Sequence, residues 1–375
     1  MSSPWQPPHF FPRYRRWLVT RYADVSDLLR RSELEVANVG RGTRGLGERS
    51  GFDMTGLVDT LDHMPLFLNP PLHSPERRIF ARTLGLVSSQ DIERIVHRHL
   101  GRIRDRALAD GGLDGVSDLA DVIAMGVFTD LLGLPESDIA MLCELTAGVL
   151  GVTNRDATLS LYRKLSARAD QCIDYLVEAV RRRRADPGED AISRMLSVAG
   201  EEDERHTAAR LYGLLAAATE TSATFLSHSI LRLIEHPEER AMLAANPDKL
   251  DRGVEELLRL TTPARYSLRH GLEDVIIGDI VIPAEVPIML DLYLANRDPA
   301  AFRNPEIIDL DNKVPILTFS EGLHGCVGAR FARIEGRLML EELLALPSLG
   351  QSGPIVEGEV VDLLPRLKSI PLAFA

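Results

Sequence analysis

Ten residues, Phe319-Ser-Glu-Gly-Leu-His-Gly-Cys-Val-Gly328, carry the clearest chemical signal in this chain. Gly322, Gly325 and Gly328 surround Cys326 immediately ahead of an amphipathic stretch that reads as a helix from about Val327 to Leu346. The glycines let the backbone come close to something flat and bulky. A helix N-terminus sets unpaired N–H groups and positive potential beside the sulfur. Such surroundings lower a thiol pKa and favour the thiolate, the form that ligates metal. Glu256 and Arg259 stand three apart on another predicted helix and therefore share a face, although that spacing alone is uninformative.

The elements that must position these residues are mostly helical. From Ser74 to about Leu260, segments 90–109, 115–134, 138–150, 160–185, 207–233 and 248–260 carry apolar residues at three- and four-residue spacing. Gly111-Gly112, Leu134-Pro135, Asp186-Pro-Gly188 and His236-Pro237 break them apart. Ahead of this region, Trp17 to Tyr22 reads as a short strand, with Asp24 as N-cap of a helix Val25–Arg31. Residues 35–66 are Gly-rich and weakly periodic and read as a long loop. After the helices, Val275 to Pro283 reads as a hairpin turning at Gly278-Asp279, and Val286–Leu292 as a further strand. The expected fold is mainly α with small β-sheets, a single domain over residues 1–375.

Further segments make the resemblance to a family specific. Phe319 to Gly328, followed by Ala332-Arg-Ile-Glu335, resembles the Phe-x-x-Gly-x-x-x-Cys-x-Gly haem-ligand loop of cytochromes P-450. In family order the chain also holds His73-x-x-x-Arg77, Ala217-Ala-Thr-Glu-Thr-Ser222, Glu256-Leu-Leu-Arg259, Arg269 ahead of the central strands, and Ala295-Asn-Arg-Asp-Pro299. The likeness spans roughly residues 10–370 and points to the soluble bacterial type. It implies a haem b between a long central helix and the Cys-loop helix, with Cys326 as axial thiolate, the arrangement that pushes electron density toward oxygen activation. Phe319 and Gly328 belong to that loop. His73, Arg77, Arg269 and His324 become candidates for the haem propionates, because buried carboxylates need partners and Arg forks suit them.

Glu220 and Thr221 become a candidate proton relay. Oxygen activation consumes protons, and a hydroxyl fed by an acid connected to solvent serves that need. A mid-helix Thr that bonds back to the i−4 carbonyl also loosens the helical ladder. The resemblance makes Glu256 and Arg259 a buried structural pair behind the Cys loop. It draws the substrate pocket from residues 40–66 and 145–165, from Leu214, Ala217 and Ala218, and from Arg265, Tyr266 and Ser267. Arg265 either meets a polar group of the substrate or faces solvent. Four positions depart from the family pattern: Ala218, Ser320 and Glu285 each stand where Gly is usual. Asn312 replaces an Arg that usually joins Glu256 and Arg259, with Lys313 as a neighbouring substitute.

Composition bounds the remaining choices. The chain has 375 residues, with 43 basic against 55 acidic and a net charge of −12, which speaks against a nucleic-acid binder. Three scattered cysteines, Cys143, Cys172 and Cys326, argue against a disulfide framework and for a reducing, cytoplasmic setting. Neither a signal peptide nor a membrane span is expected. Gly40-Arg-Gly-Thr-Arg-Gly45 matches a dinucleotide pattern but lacks the strand and helix it needs, so a mobile loop over the substrate pocket is the better expectation. His97 and His99 face different ways on a helix and do not form a metal pair. Arg181 to Arg184 reads as a solvated helix end. Cys143 and Cys172 read as packing residues.

The expected activity is a monooxygenase acting on a small organic substrate of secondary or xenobiotic metabolism. Electrons would come from NAD(P)H through a separate ferredoxin or flavodoxin-type donor and its reductase. A second reading keeps the haem and changes the reaction to coupling, dehydration or peroxide-driven oxidation. A third is a non-catalytic haem sensor, for which an acid–alcohol pair would be needless.

Overall fold

Apolar residues at helical spacing do form helices almost throughout the middle of the chain. The computed structural model describes residues 4–373 apart from 13, 155, 347–348 and 361–362. Two compact units result: residues 1–37 with 228–329, and residues 38–227 with 330–375.

The first unit is built on a five-stranded sheet. Its strand order is His9–Phe11, Arg16–Val19, Ile288–Asp291, Tyr266–Gly271, Leu34–Glu35. Trp17 to Val19 runs parallel to Ile288 to Leu290, while Tyr266 to Arg269 pairs antiparallel with Asp291 to Ile288. Val19, Leu28, Ile282, Ile288, Leu290 and Leu317 are fully buried at its core. The hairpin Val275–Ile277 with Ile280–Ile282 forms where expected.

Helix Leu250–Thr261 supplies this unit's buried ion pair. Arg259 Nη2 and Nε donate to Glu256 Oε2 and Oε1 at 2.7 and 2.9 Å, and both residues are buried. The guanidinium also donates to the carbonyls of Asn296, Asn304, Pro305 and Ile307. Glu256 in turn accepts from the Asp309 N–H and from Asn312 Nδ2 at 2.7 Å. Asn312 therefore completes the network itself, in the place where the sequence left the third partner open, and Lys313 is not needed. An amide fits because Glu256 already has its cation and needs only one more donor.

The second unit is helical: it holds His73–Gly85, Ser89–Asp110, Asp121–Leu131, Ile139–Thr146, Leu159–Ala185, residues 204–227 of the long helix Glu204–Glu235, and residues 330–345 of helix Ala329–Ala345. Short strands from the C-terminal segment, Val356–Val360 with Pro365–Ser369 and Pro371–Ala373, complete it. The buried Arg210 ties the long helix to His73–Gly85 by a two-pronged bond to Glu76 at 2.7 and 2.8 Å, with Glu202 as a second acid.

Three expectations need correction. Residues 35–66 are not a long loop: Val39–Ser50 and Thr55–Asp62 are helices. Asn38 Oδ1 caps the first by accepting from the Arg41 N–H at 2.8 Å. A Cβ on Gly40 would stand 2.0 Å from an oxygen of Asp62, so its lack of a side chain lets the two helices close together. The Gly40 to Gly45 pattern thus lies inside a helix and is neither a mobile loop nor a dinucleotide turn. The first helix is Tyr22–Arg30, beginning ahead of Asp24, which does not cap it.

Removing Glu256 should strand the Arg259 charge in the core. Glu256→Ala is expected to lower unfolding free energy by about 3–5 kcal/mol in a denaturant titration. Loss of less than about 1 kcal/mol would show that the pair is not a structural anchor.

Candidate functional site

The Cys326 loop is set by backbone bonds before any side chain acts. The Cys326 N–H donates to the Phe319 carbonyl at 2.8 Å, Ser320 N–H to Leu317, and Gly325 N–H to Gly322. Gly322 has φ +66°, and a Cβ there would sit 2.7 Å from the Leu29 carbonyl oxygen, so only glycine fits. Glu321 fastens the loop to helix Tyr22–Arg30 through the Ser26 hydroxyl at 2.6 Å. The following helix starts at Ala329, three residues beyond Cys326. Of the three cysteines, none of them in a disulfide, Cys326 is the exposed one. Phe319, His324 and Gly328 are half-buried around it.

The same unit carries Arg269 on a strand pinned opposite Ile288. Its side chain is buried, with Nη1 donating to Ser267 Oγ at 2.6 Å and to the Leu268 carbonyl. Nη2 is buried with no hydrogen-bond partner among the described residues. Burial lowers the guanidinium pKa to about 10, which still leaves a full charge at neutral pH. A buried cation with a spare donor fits a carboxylate such as a haem propionate. Arg265 is different. Its guanidinium lies 3.7 Å from the centre of the Tyr293 ring, so a ring and not solvent takes its charge. Tyr266 is buried and Ser267 is occupied by Arg269.

In the other unit, His73 and Arg77 lie one turn apart on helix His73–Gly85. Burial, then the Arg77 charge, holds the His73 pKa below its usual value. On the long helix, Ala217, Ala218 and Thr221 are partly open within an otherwise buried run, while Leu214 is buried. Thr221 Oγ1 bonds back to the Ala217 carbonyl at 2.8 Å. The helix runs unbroken from Glu204 to Glu235 with Ala218 in it.

Glu220 and Thr221 take different partners. The Glu220 carboxylate accepts from the Gly148 N–H and faces those of Val149 and Leu150, at the start of the turn Val149–Thr153. Burial pushes its carboxyl up to about 7, with the Arg366 charge as the first counterweight. A carboxyl poised there can both hold and release a proton near neutral pH. Cys143 and Cys172 behave as the packing residues expected, with burial raising both thiols to about 12. His99 is buried with Nε2 2.8 Å from Asp130 Oδ2, and among the described residues no group of three or more His, Cys, Asp or Glu could hold a metal ion.

One buried acid has no role in the sequence reading. Glu335, fully buried on helix Ala329–Ala345, has its carboxyl pushed up to about 7 by desolvation, with the Ser222 hydroxyl working the other way. It was visible only as part of Ala332 to Glu335. Ser320 and Glu285, two departures from a usual Gly, both adopt the left-handed region at φ +58° and +61°.

Comparison with known proteins agrees with this geometry. A family model described as "Cytochrome P450" matches residues 154–346. The "Biotin biosynthesis cytochrome P450" of Bacillus subtilis (strain 168) is 29% identical, over 90% of this chain and 85% of that protein. "Cytochrome P450 130" of Mycobacterium tuberculosis is 31% identical, over 89% of this chain and 82% of its own. The crystal structure of P450BioI in complex with a hexadec-9Z-enoic acid ligated acyl carrier protein superposes with a TM-score of 0.85 at 28% identity, covering 98% of this chain and 94% of that one.

Two measurements check the energetics. Left-handed backbone strain outweighs glycine's added entropy, so Ser320→Gly and Glu285→Gly should each stabilise by about 0.5–1 kcal/mol in denaturant midpoints. Glu335 binds its proton more tightly folded than unfolded. The stability this gives is complete below about pH 4.5 and is lost as pH rises through about 7. Glu335→Gln should therefore remove up to about 3 kcal/mol of the fall in stability between acid and mildly alkaline pH. Superimposable stability–pH curves would place its titration elsewhere.

Proposed function

The chain belongs to the cytochrome P450 family of monooxygenases, and we propose that Cys326 is the axial thiolate of its haem b and that Glu220 and Thr221 deliver protons during turnover. The observation that carries this reading is the Cys326 loop, which presents an exposed sulfur on a fixed backbone just before a helix. Haem held in this way supplies O2 activation, one oxygen atom passing to a small organic substrate and the other leaving as water.

The residues have separate tasks in this proposal. Phe319 and Gly328 shape the thiolate loop, with Phe319 lending the carbonyl that fixes Cys326. Arg269 would meet a haem propionate with its spare buried donor, and His73, Arg77 and His324 are further candidate propionate donors. Leu214, Ala217 and Ala218 form the small-side-chain floor on which substrate rests, since alanines leave room beside Thr221. Thr221 offers a hydroxyl to the reacting oxygen, and Glu220 restores the proton that it passes on. Glu256 and Arg259 remain structural. Arg265 and Tyr266 contribute to the pocket wall through fixed packing, with Ser267 orienting Arg269.

Residues 1–375 work as one catalytic domain in this reading, which the near-complete match to P450BioI supports. Electrons come from NAD(P)H by way of a ferredoxin or flavodoxin and its reductase, in the cytoplasm. Among the described residues no helix is long and apolar enough to cross a membrane, in keeping with that setting. Substrate is the open chemical question, and a panel of metabolites should include a free fatty acid and an acyl chain carried on acyl carrier protein. Binding reads out as a difference spectrum of the haem.

Cys326→Ser, reconstituted with haem, is expected to lose the thiolate-type carbon monoxide spectrum, and survival of that spectrum would refute the ligand assignment. With NADPH and a surrogate ferredoxin, Thr221→Ala should raise the ratio of hydrogen peroxide to water formed from O2 by about tenfold or more, the usual scale of a lost general acid. An unchanged ratio would remove Thr221 from the relay.

A further inference from the structure

Two imidazoles outside the site described so far come together in the second unit. His63 ends helix Thr55–Asp62 and is half-buried, and His206 stands exposed in the first turn of the long helix Glu204–Glu235. Their ring centres lie 5.2 Å apart, with the planes tilted by 37°. His63 Nδ1 is 2.7 Å from the Asp59 carbonyl oxygen, one turn back on its own helix. A carbonyl only accepts, so Nδ1 carries the hydrogen and the neutral ring keeps its lone pair on Nε2. Among the described residues the His206 ring has no hydrogen-bond partner. The same face of the long helix receives the segment that carries His63. A Cβ on Gly213, two turns beyond His206, would stand 2.8 Å from the Met64 side chain and 3.5 Å from that of Thr60. Charge here favours a further cation. Asp59, Asp170 and Asp174 share the single Arg205 guanidinium at 3.3, 3.1 and 3.5 Å, and Asp62 pairs with Arg44. Four carboxylates thus face two guanidiniums around the imidazole pair.

We propose that His63 and His206 form a binding site for a transition-metal ion of the zinc, nickel or copper kind, which ties helix Thr55–Asp62 to the start of the long helix. Neutral imidazole is the nitrogen ligand that suits these ions. Two imidazoles on a tetrahedral ion, with metal–nitrogen distances of about 2.0–2.1 Å, have ring centres about 5 Å apart. The observed 5.2 Å matches that spacing. A hydrogen bond from the far ring nitrogen to a backbone carbonyl is the outer contact that metal-bound histidines ordinarily make, and His63 already has it. It fixes the tautomer and holds the ring in place before any ion arrives. Two neutral ligands leave the ion its full double charge, which the surplus of carboxylates offsets. Water fills the remaining positions, so the site is open and exchanges its ion, unlike a closed structural centre. Magnesium and calcium take oxygen ligands and should not compete. Helix Thr55–Asp62 lies within residues 40–66, the stretch expected to border the substrate, so a bound ion would hold that border in place.

The test uses untagged, haem-loaded protein, so that neither a histidine tag nor the Cys326 sulfur takes up the ion. Zn2+ is titrated by calorimetry, and Cu2+ is followed by electron paramagnetic resonance. One ion should bind per chain, and the copper spectrum should show coupling to two imidazole nitrogens. His63→Ala and His206→Ala should each weaken Zn2+ binding by about 100-fold or more, since losing even an outer partner of a ligand costs about 10–100-fold. Each should leave a single coupled nitrogen. His97→Ala, at an exposed histidine on helix Ser89–Asp110, should bind as the wild type does. Zn2+ at about 100 times its dissociation constant should raise the thermal midpoint of the wild type by about 3 °C, and that of His206→Ala by less than about 1 °C. Wild-type affinity in either single variant overturns the site. The exposed position of His206 keeps this decisive even where His63→Ala fails to fold. A wild-type copper spectrum with one coupled nitrogen or none overturns the site as well. Equal midpoint shifts in the wild type and His206→Ala overturn the tie between the two helices.

Discussion

A buried Arg259 guanidinium is the constraint on which the thiolate end of this protein depends. With neither end of its charge in water, it must find every donor site a partner. It does so by binding Glu256 with two nitrogens and drawing in four carbonyls from residues 296–307. That demand shapes the segment that leads to Cys326. Asn296, whose carbonyl is one of the four, holds the Leu317 N–H and Thr318 Oγ1, and Thr318 reaches back to the Leu258 carbonyl on the same helix as the ion pair. Phe319 follows directly and supplies the oxygen that fixes the Cys326 backbone. Hydrogen bonds that start at a buried ion pair thereby reach the segment that carries Cys326.

The helical half relies on the same physics with the opposite sign of charge. Glu220 and Glu335 are buried carboxyls raised to about 7, each relieved by few polar neighbours. Their environments differ in a way that matters. Glu220 sits where backbone N–H groups converge and the Arg366 charge favours its ionised form. Glu335 has the Ser222 hydroxyl as the group that works against its desolvation. Burial alone therefore does not make a proton donor; a counter-charge is also required.

Two local irregularities show where this chain accepts strain. Ser320 and Glu285 occupy left-handed backbone positions without the glycine that would ease them. Ser320 lies between the Leu317 carbonyl, which its own N–H binds, and the Cys loop, so the turn is imposed by its neighbours. Glu285 is held by an N–H bond to the Gly271 carbonyl at 2.8 Å. In each case surrounding hydrogen bonds decide the conformation against the residue's preference.

Sequence by itself determined the fold class, the Cys326 loop and the Glu256–Arg259 pair, and it marked Glu220 beside Thr221, because each is written in adjacent residues or in one helical turn. It also marked Asn312, Ser320 and Glu285 as unusual, though not what they do. Tertiary structure alone decided the rest. The helices at 39–62 were illegible because their glycines lower local propensity, and tertiary contacts such as the close approach of Gly40 to Asp62 and the Arg44–Asp62 ion pair hold them. Burial lowers the His73 pKa, which no spacing reveals. Arg265 went to a tyrosine ring 28 residues away in sequence, and Arg366 to an aspartate 245 residues away. Local chemistry can be read along a chain; charges settle with whatever partner folding brings within a few ångströms, and that partner has no fixed separation in sequence.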